Sequence, residues 1–172
     1  MRTHSTMTRA AVLVLGVTLV WLAGRQAAAQ TAAPAAARLF APAADVAALI
    51  ERAKRERKPD QANFVQPIVQ LAPYNVNLEY RVGGVAATAS VHDRDAELFL
   101  VIEGSGTVVT GGTLKDERRT SPDNLQGSAI EGGTSRRLGK GDWVMVPEKT
   151  PHWFTQIEGI LVLMSVHLPH GQ

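Results

Sequence analysis

The chain has 172 residues, of which 45% are hydrophobic, 20% charged and 5% aromatic, and its formal charge at pH 7 is +2. This composition is typical of one soluble globular domain. The sequence contains no cysteine, which excludes disulfides, thiolate zinc sites, iron–sulfur clusters and cysteine nucleophiles. Any bound metal must therefore be held by nitrogen or oxygen atoms.

The amino-terminal segment has the pattern of a secretory signal peptide over residues 1–29. Arg2 and Arg9 precede an apolar run from Ala10 to Ala23, and small residues at 27–29 provide a cleavage site. The apolar run is shorter than the roughly 20 residues that span a bilayer, so an uncleaved membrane anchor is the weaker alternative. We expect a periplasmic or secreted protein with no stable membrane anchor after cleavage.

The basic charge of the chain is concentrated in that segment. Cleavage after residue 29 removes Arg2, Arg9 and Arg25 but no acid, which changes the net charge from +2 to −1. The densest remaining basic cluster also includes the acidic residues Glu51 and Glu56, and no aromatic residues are interleaved with it. We therefore expect no nucleic-acid partner.

A tether and a helix are predicted next. Residues 30–44 are rich in Ala and Pro, as in a linker. Asp45 is the expected N-cap of a helix, within residues 45–60, whose apolar residues recur at helical spacing. The Lys58-Pro59 step should end this helix, which we expect to pack on the following domain or to precede it.

From Phe64 onward, hydrophobicity alternates with period two, and glycines and prolines punctuate the pattern. At least eight short strands are predicted, which indicates an all-β sandwich or barrel over residues 64–168. The predicted strands are FVQPIVQL, VNLEYRV, VAATASVH, ELFLVIEG, GTVVT, DWVMVP, HWFTQI and ILVLMSV. Residues 114–140 are polar and interrupt the pattern, so we expect either a functional lid or a flexible insertion.

Glu97 stands out because it begins an otherwise apolar strand, on the same face as Phe99 and Val101. A carboxylate in this position costs free energy unless it is exposed, paired or bound to a cation. His92, on the same face as Ser90, lies just before it. The alternative is that Glu97 marks an exposed strand end and His92 a turn.

The spacing of these residues resembles that of the two motifs of the cupin superfamily. The first motif is matched by Gly84, Ser90, His92, Glu97 and Gly104, and every interval is kept. The second is matched with its intervals intact by Gly141, Pro147, Lys149, His152 and Gln156.

The resemblance implies a jelly-roll β-barrel with a divalent metal ion inside it, bound by His92, Glu97 and His152. Ser90 departs from the family pattern, because many metal-binding cupins have a histidine there. It is a possible fourth ligand position or water site. The remaining two histidines and one carboxylate still form a set that binds Fe, Mn, Ni, Co or Zn. The alternative is that metal binding has been lost.

Other residues are weaker candidates. The planar guanidinium of Arg81 is suited to binding a carboxylate. His167 lies on the inward face of the last predicted strand. The full set of residues expected to support the ligands or to line a pocket is Gln156, Tyr80, Arg81 and His167. Asp93 could orient an imidazole. The apolar second face formed by Leu98, Leu100 and Ile102 predicts a homodimer.

Two functions follow from these expectations. The first is an exported metalloenzyme acting on a small-molecule substrate as a dioxygenase, decarboxylase, isomerase or lyase. The second is a non-catalytic module that binds a metal or a small ligand. A structural or interaction protein ranks last, because it leaves Glu97 without a role.

Overall fold

A computed structural model describes residues 36–169. The signal peptide predicted over residues 1–29 lies outside this range. The described residues form one helix and thirteen strands. In chain order these are α1 (Ala43–Glu56), β1 (Asn63–Leu71), β2 (Tyr74–Val82), β3 (Ala89–His92), β4 (Asp95–Gly104), β5 (Gly106–Thr110), β6 (Thr113–Lys115), β7 (Arg118–Ser121), β8 (Asn124–Gly127), β9 (Ala129–Glu131), β10 (Thr134–Leu138), β11 (Trp143–Val146), β12 (His152–Thr155) and β13 (Ile160–Pro169).

The helix begins earlier than the sequence predicts. Pro42 is the N-cap residue, so the prediction that Asp45 caps the helix is wrong. The extended conformation of Pro42 leads directly into two alanines, which favour helix. Asp45 lies instead in the first turn, where its negative charge is favourable, and pairs with Arg38 at 2.7 Å. The helix ends at Glu56, which confirms the stop expected from Pro59.

Two antiparallel sheets form the body of the fold. The first has the strand order β1-β2-β13-β4-β11, and the second has the order β10-β5-β12-β3-β8-β7. The hydrophobic core between them contains side chains from both sheets, including Phe99 of the first and Phe154 of the second. This arrangement confirms the predicted all-β jelly roll with a short helix.

The first sheet has two different faces because successive residues of a strand point to opposite sides. Leu161 and Leu163 of β13 belong to the core between the sheets. Val162 of the same strand packs with Leu78 and with Ala53 of the helix. The helix therefore covers the outer face of β2 and β13, as the tether-and-helix prediction allowed.

Residues 114–140, which the sequence predicted to be a functional lid or a flexible insertion, have regular secondary structure. They contain or overlap the short strands β6 to β10. Strands β8 and β7 extend the second sheet beyond β3, and β10 pairs with β5 at its other end. Hydrogen bonding to neighbouring strands organises this segment, so its side chains do not need an apolar alternation.

The outer face of β4 and β11 carries apolar side chains. Trp143 and Met145 are 58% and 52% exposed, and they lie opposite Leu100 and Leu98 in the strand register. A homodimer through this face stays a prediction. Among residues 36–169, no helix is both long enough and apolar enough to cross a membrane.

The last glycine of the first motif allows a close approach between two strands. A Cβ atom at Gly104 would overlap the carbonyl oxygen of Ile160, whereas one at Gly84 meets nothing within 4 Å. Both residues have positive φ, +81° and +75°. Both glycines therefore have a left-handed backbone conformation that disfavours a side chain, but only at Gly104 would a side chain also clash with the neighbouring strand.

We expect Gly84→Ala to lower the free energy of unfolding by about 1–2 kcal/mol, because of its left-handed conformation. Gly104→Ala should cost at least about 3 kcal/mol, since the backbone clash adds to that penalty. Urea unfolding of the two variants measures the difference. Equal losses would show that the clash has no energetic consequence.

Candidate metal centre

The site is built around Glu97, whose side chain is buried at the start of β4 with only 3% of the residue exposed. Phe99 and Val101 continue the same inward face and are almost fully buried. An isolated carboxylate in such surroundings is costly. Its oxygens must therefore be compensated by charged or hydrogen-bonding partners.

Two histidines meet one oxygen of this carboxylate. His92 Nε2 lies 3.2 Å from Glu97 Oε2, and His152 Nε2 lies 3.3 Å from the same atom. One donor atom from each of the three side chains lies within 4.8 Å of the others. The fold thus brings together the three residues that the two sequence motifs predicted.

Backbone contacts join the turns that carry the two histidines. The N–H of Lys149 donates to the carbonyl of His92 at 2.7 Å, and Ser90 lies opposite His152 in the register of β3 and β12. Lys149 replaces the family's turn glycine but keeps a left-handed conformation, with φ of 59°. The substitution therefore preserves the turn that positions His152.

Outer partners orient both imidazoles. His92 Nδ1 lies 2.5 Å from Asn124 Oδ1, and His152 Nδ1 lies 3.3 Å from the carbonyl oxygen of Thr150. An acceptor at Nδ1 favours the tautomer in which Nε2 is free to ligate a metal. The donor set of two imidazole nitrogens and a carboxylate fits a divalent transition metal.

A third imidazole contacts the other oxygen of Glu97. His167 Nε2 lies 3.2 Å from Glu97 Oε1, and its Nδ1 lies 3.4 Å from Asp95 Oδ2. The sequence identified His167 only as a candidate for lining a pocket or supporting a ligand. Its side chain in fact touches the buried carboxylate directly.

These contacts decide where the protons lie. Burial acts to raise the pKa of Glu97, but hydrogen bonds from His152, His167 and His92 outweigh it and lower the pKa. Burial acts to lower the pKa of His92, but Glu97 and Asn124 raise it. The hydrogen bond to Glu97 raises the pKa of His167 against the opposing effect of burial. These contacts therefore favour the ionised carboxylate and the protonated forms of His92 and His167.

The remaining candidates have separate positions. Arg81 faces the interior, since it lies opposite the core residue Leu161 in the register of β2 and β13. Tyr80, its neighbour, packs in the cluster on the helix side of the sheet and not beside the interior. Gln156 is exposed and accepts a hydrogen bond from Thr107.

Asp93, which the sequence suggested as a support for an imidazole, pairs instead with Arg119 at 2.7 Å. The supporting residues are Asn124, Asp95 and the backbone of Thr150. Asp95 lies two residues before Glu97 and shares its face of the strand. The alternation of side chains along a strand could therefore have identified it as a neighbour of the site. Asn124 is brought to His92 only by the pairing of β3 with β8.

Ser90 borders a cavity of about 300 Å³ on the side of β3. Its wall is mostly small and polar: Ala62, Asn63, Arg81, Ala86, Ala87, Thr88, Ser90 and Gln126. Because Ser90 and His92 share a face of β3, this cavity lies on the same side of the strand as the candidate ligand His92. It provides space for a small molecule.

Solved structures similar to this chain include TT1209 from Thermus thermophilus, with 18% identity, a TM-score of 0.49 and coverage of 69% of this chain and 94% of that one. KdgF from a Halomonas species has 15% identity, a TM-score of 0.46 and coverage of 67% and 86%. The cupin domain of Schizosaccharomyces pombe Cnp3 has 11% identity, a TM-score of 0.47 and coverage of 67% and 71%. No protein-family model matches the sequence, and no curated protein does.

The fold of this chain is a cupin jelly roll. Its two antiparallel sheets enclose a core to which both contribute. Residues of both family motifs meet inside it, at His92, Glu97 and His152. The jelly-roll fold that the sequence resemblance implied is thereby confirmed.

We expect Asn124→Ala to weaken metal binding about 10- to 100-fold, because it removes the acceptor that orients His92. Asn124→Asp keeps an oxygen acceptor and should retain most of the affinity. Asp93→Asn, which alters only the pair with Arg119, is the control. Competition with a chelator measures each dissociation constant, and unchanged binding by Asn124→Ala would contradict the orienting role.

Metal affinity should fall as the pH is lowered. Only the neutral imidazole binds a metal, and Glu97 favours the protonated forms of His92 and His167 by raising each pKa above 6.5. Proton competition should therefore begin at a higher pH than for an isolated histidine and increase as the pH falls. Calorimetric titration with Zn²⁺ in buffers of different ionisation enthalpy measures the protons released, and a pH-independent affinity would oppose this account.

Proposed function

We propose that this protein is an exported metal-dependent cupin that binds one divalent metal ion and acts on a small, oxygen-rich molecule. His92, Glu97 and His152 hold the metal, and the reaction is of the dioxygenase, decarboxylase, isomerase or lyase type. The observation that carries the proposal is the approach of two imidazole Nε2 atoms to one oxygen of a buried carboxylate.

The contacts around that cluster support metal binding over a simple buried ion pair. Both histidines have an acceptor at Nδ1, so their Nε2 atoms are directed toward the same region. A divalent metal bound there supplies Lewis-acid polarisation of a substrate oxygen, and electron transfer if it is iron or manganese.

The adjoining cavity supports a polar substrate. Glu79 holds Nε and Nη2 of Arg81, and the guanidinium lies 4.4 Å from the centre of the Phe154 ring. These contacts fix the orientation of the Arg81 guanidinium and leave its Nη1 to bind a substrate oxygen. Asn63 Oδ1 is buried and has no hydrogen-bond partner among the described residues, so it can accept a bond from a substrate hydroxyl.

Export forms part of the proposal because of the amino-terminal sequence. Two arginines, a short apolar run and small residues at 27–29 follow one another in the order expected of a signal peptide. Comparison of the mass of the secreted or periplasmic protein with that of the full chain tests this part. An intact amino terminus in the cytoplasm would contradict it.

We expect elemental analysis of the purified protein to find about one divalent metal per chain. His92→Ala and Glu97→Gln should each weaken binding strongly, since two protein ligands then remain of three. Glu158→Gln is a matched control, because that exposed carboxylate pairs with Arg137. Absence of metal in the unmodified protein, even after reconstitution with Fe²⁺, Mn²⁺, Co²⁺ or Zn²⁺, would overturn the proposal.

The same preparation distinguishes an enzyme from a binding module. Oxygen uptake is measured with diketones, catechols and thiols, and each mixture is analysed for other products. Iron content with substrate-dependent oxygen uptake would select the dioxygenase type. A tightly bound metal without turnover would favour the non-catalytic module, for which the loss of a family ligand at Ser90 is the supporting observation.

A further inference from the structure

We propose that His167 is a fourth metal ligand, which replaces from another strand the histidine that the first motif lacks at Ser90. This inference rests on the proposed function, because it requires a metal beside Glu97. The serine at position 90 provides no imidazole. His167 lies outside both motifs, so the motif spacing alone does not identify it.

The register of the first sheet places His167 beside the carboxylate. His167 and Glu97 are directly opposite each other in the pairing of β13 with β4. Side chains of directly opposite residues in an antiparallel pair lie on the same face. His167 therefore enters the interior at the same level as Glu97.

The three imidazoles are arranged around Glu97 with similar separations. His167 Nε2 contacts Oε1 at 3.2 Å, while His92 and His152 contact Oε2. The ring centres of His92 and His167 are 5.1 Å apart, and those of His92 and His152 are 5.2 Å apart. The ring of His167 is thus as near to the ring of His92 as the ring of His152 is, although the donor atoms that lie within 4.8 Å of one another are those of His92, Glu97 and His152.

His167 also has an acidic side chain next to its outer nitrogen, at ion-pair distance. Its Nδ1 lies 3.4 Å from Asp95 Oδ2, as Nδ1 of His92 lies against Asn124 and that of His152 against a backbone carbonyl. An outer acceptor at Nδ1 fixes the ring and leaves Nε2 for a metal. All three rings therefore present Nε2 to the same carboxylate.

A metal ion held by these four residues would have no protein ligand on the side of Ser90. Protein ligands come from β3 and β12 of the second sheet and from β4 and β13 of the first. The position that Ser90 leaves free borders the cavity that contains Arg81. We infer that the substrate reaches the metal from this side.

X-ray absorption fine structure of the full chain loaded with Co²⁺ counts the imidazoles bound to the metal. We expect three in the unmodified protein and two in His167→Gln. The dissociation constant of His167→Gln for Co²⁺ should rise by more than the 10- to 100-fold loss that removal of an outer partner causes. Asp95→Ala, which removes the outer carboxylate, provides that comparison and should keep three imidazoles.

A second substitution distinguishes a ligand from a residue that only supports Glu97. The cavity beside Ser90 has room for an imidazole, so Ser90→His combined with His167→Gln should restore three imidazoles and most of the affinity. Urea unfolding of the metal-free variants controls for loss of structure. Two imidazoles in the unmodified protein would overturn this inference alone, whereas failure to bind Co²⁺ would overturn both it and the proposed function.

Discussion

The charge of Glu97, buried at the head of an apolar strand, is the constraint on which the rest of the site depends. Removal of a carboxylate from water is tolerated only when other groups replace the lost hydration. Three histidines from three different strands do so here. Their contacts with one acid explain how a buried carboxylate is stable inside a jelly roll, and they form a donor set that fits a divalent metal ion.

This constraint also explains the role of the polar segment between β5 and β11. A histidine that faces Glu97 needs an acceptor behind it if the ring is to keep one orientation. The short strand β8 brings Asn124 to that position beside His92. Strand β8 therefore contributes to the site indirectly, because Asn124 fixes the ring of His92 from the side away from Glu97.

The candidate ligands of the two motifs could be predicted because each motif fixes local geometry. A strand, a tight turn and a constant interval determine where His92, Glu97 and His152 lie. Asn124 and His167 could not be identified as contacts in the same way, because their positions depend on which strands pair and in what register. Non-local pairing is set by the whole sheet and not by the spacing of residues along the chain.

Two other differences between the sequence predictions and the structure also have physical causes. Period two shows that Tyr80 and Arg81 point in opposite directions, but only the position of the helix decides which of them faces inward. The strands β7 and β10 are largely exposed, so their sequences lack the apolar alternation that identified the core strands. Alternation indicates burial more directly than it indicates strand structure.

The division of the candidate ligands between the two sheets has a consequence for stability. His92 and His152 belong to one sheet, while Glu97 belongs to the other. An ion held by all of them acts as a crosslink through the middle of the sandwich, and its binding energy adds to the folding energy. Under the proposed function, the metal-free protein would then be easier to unfold than the metal-loaded one, and proteases would distinguish the two forms.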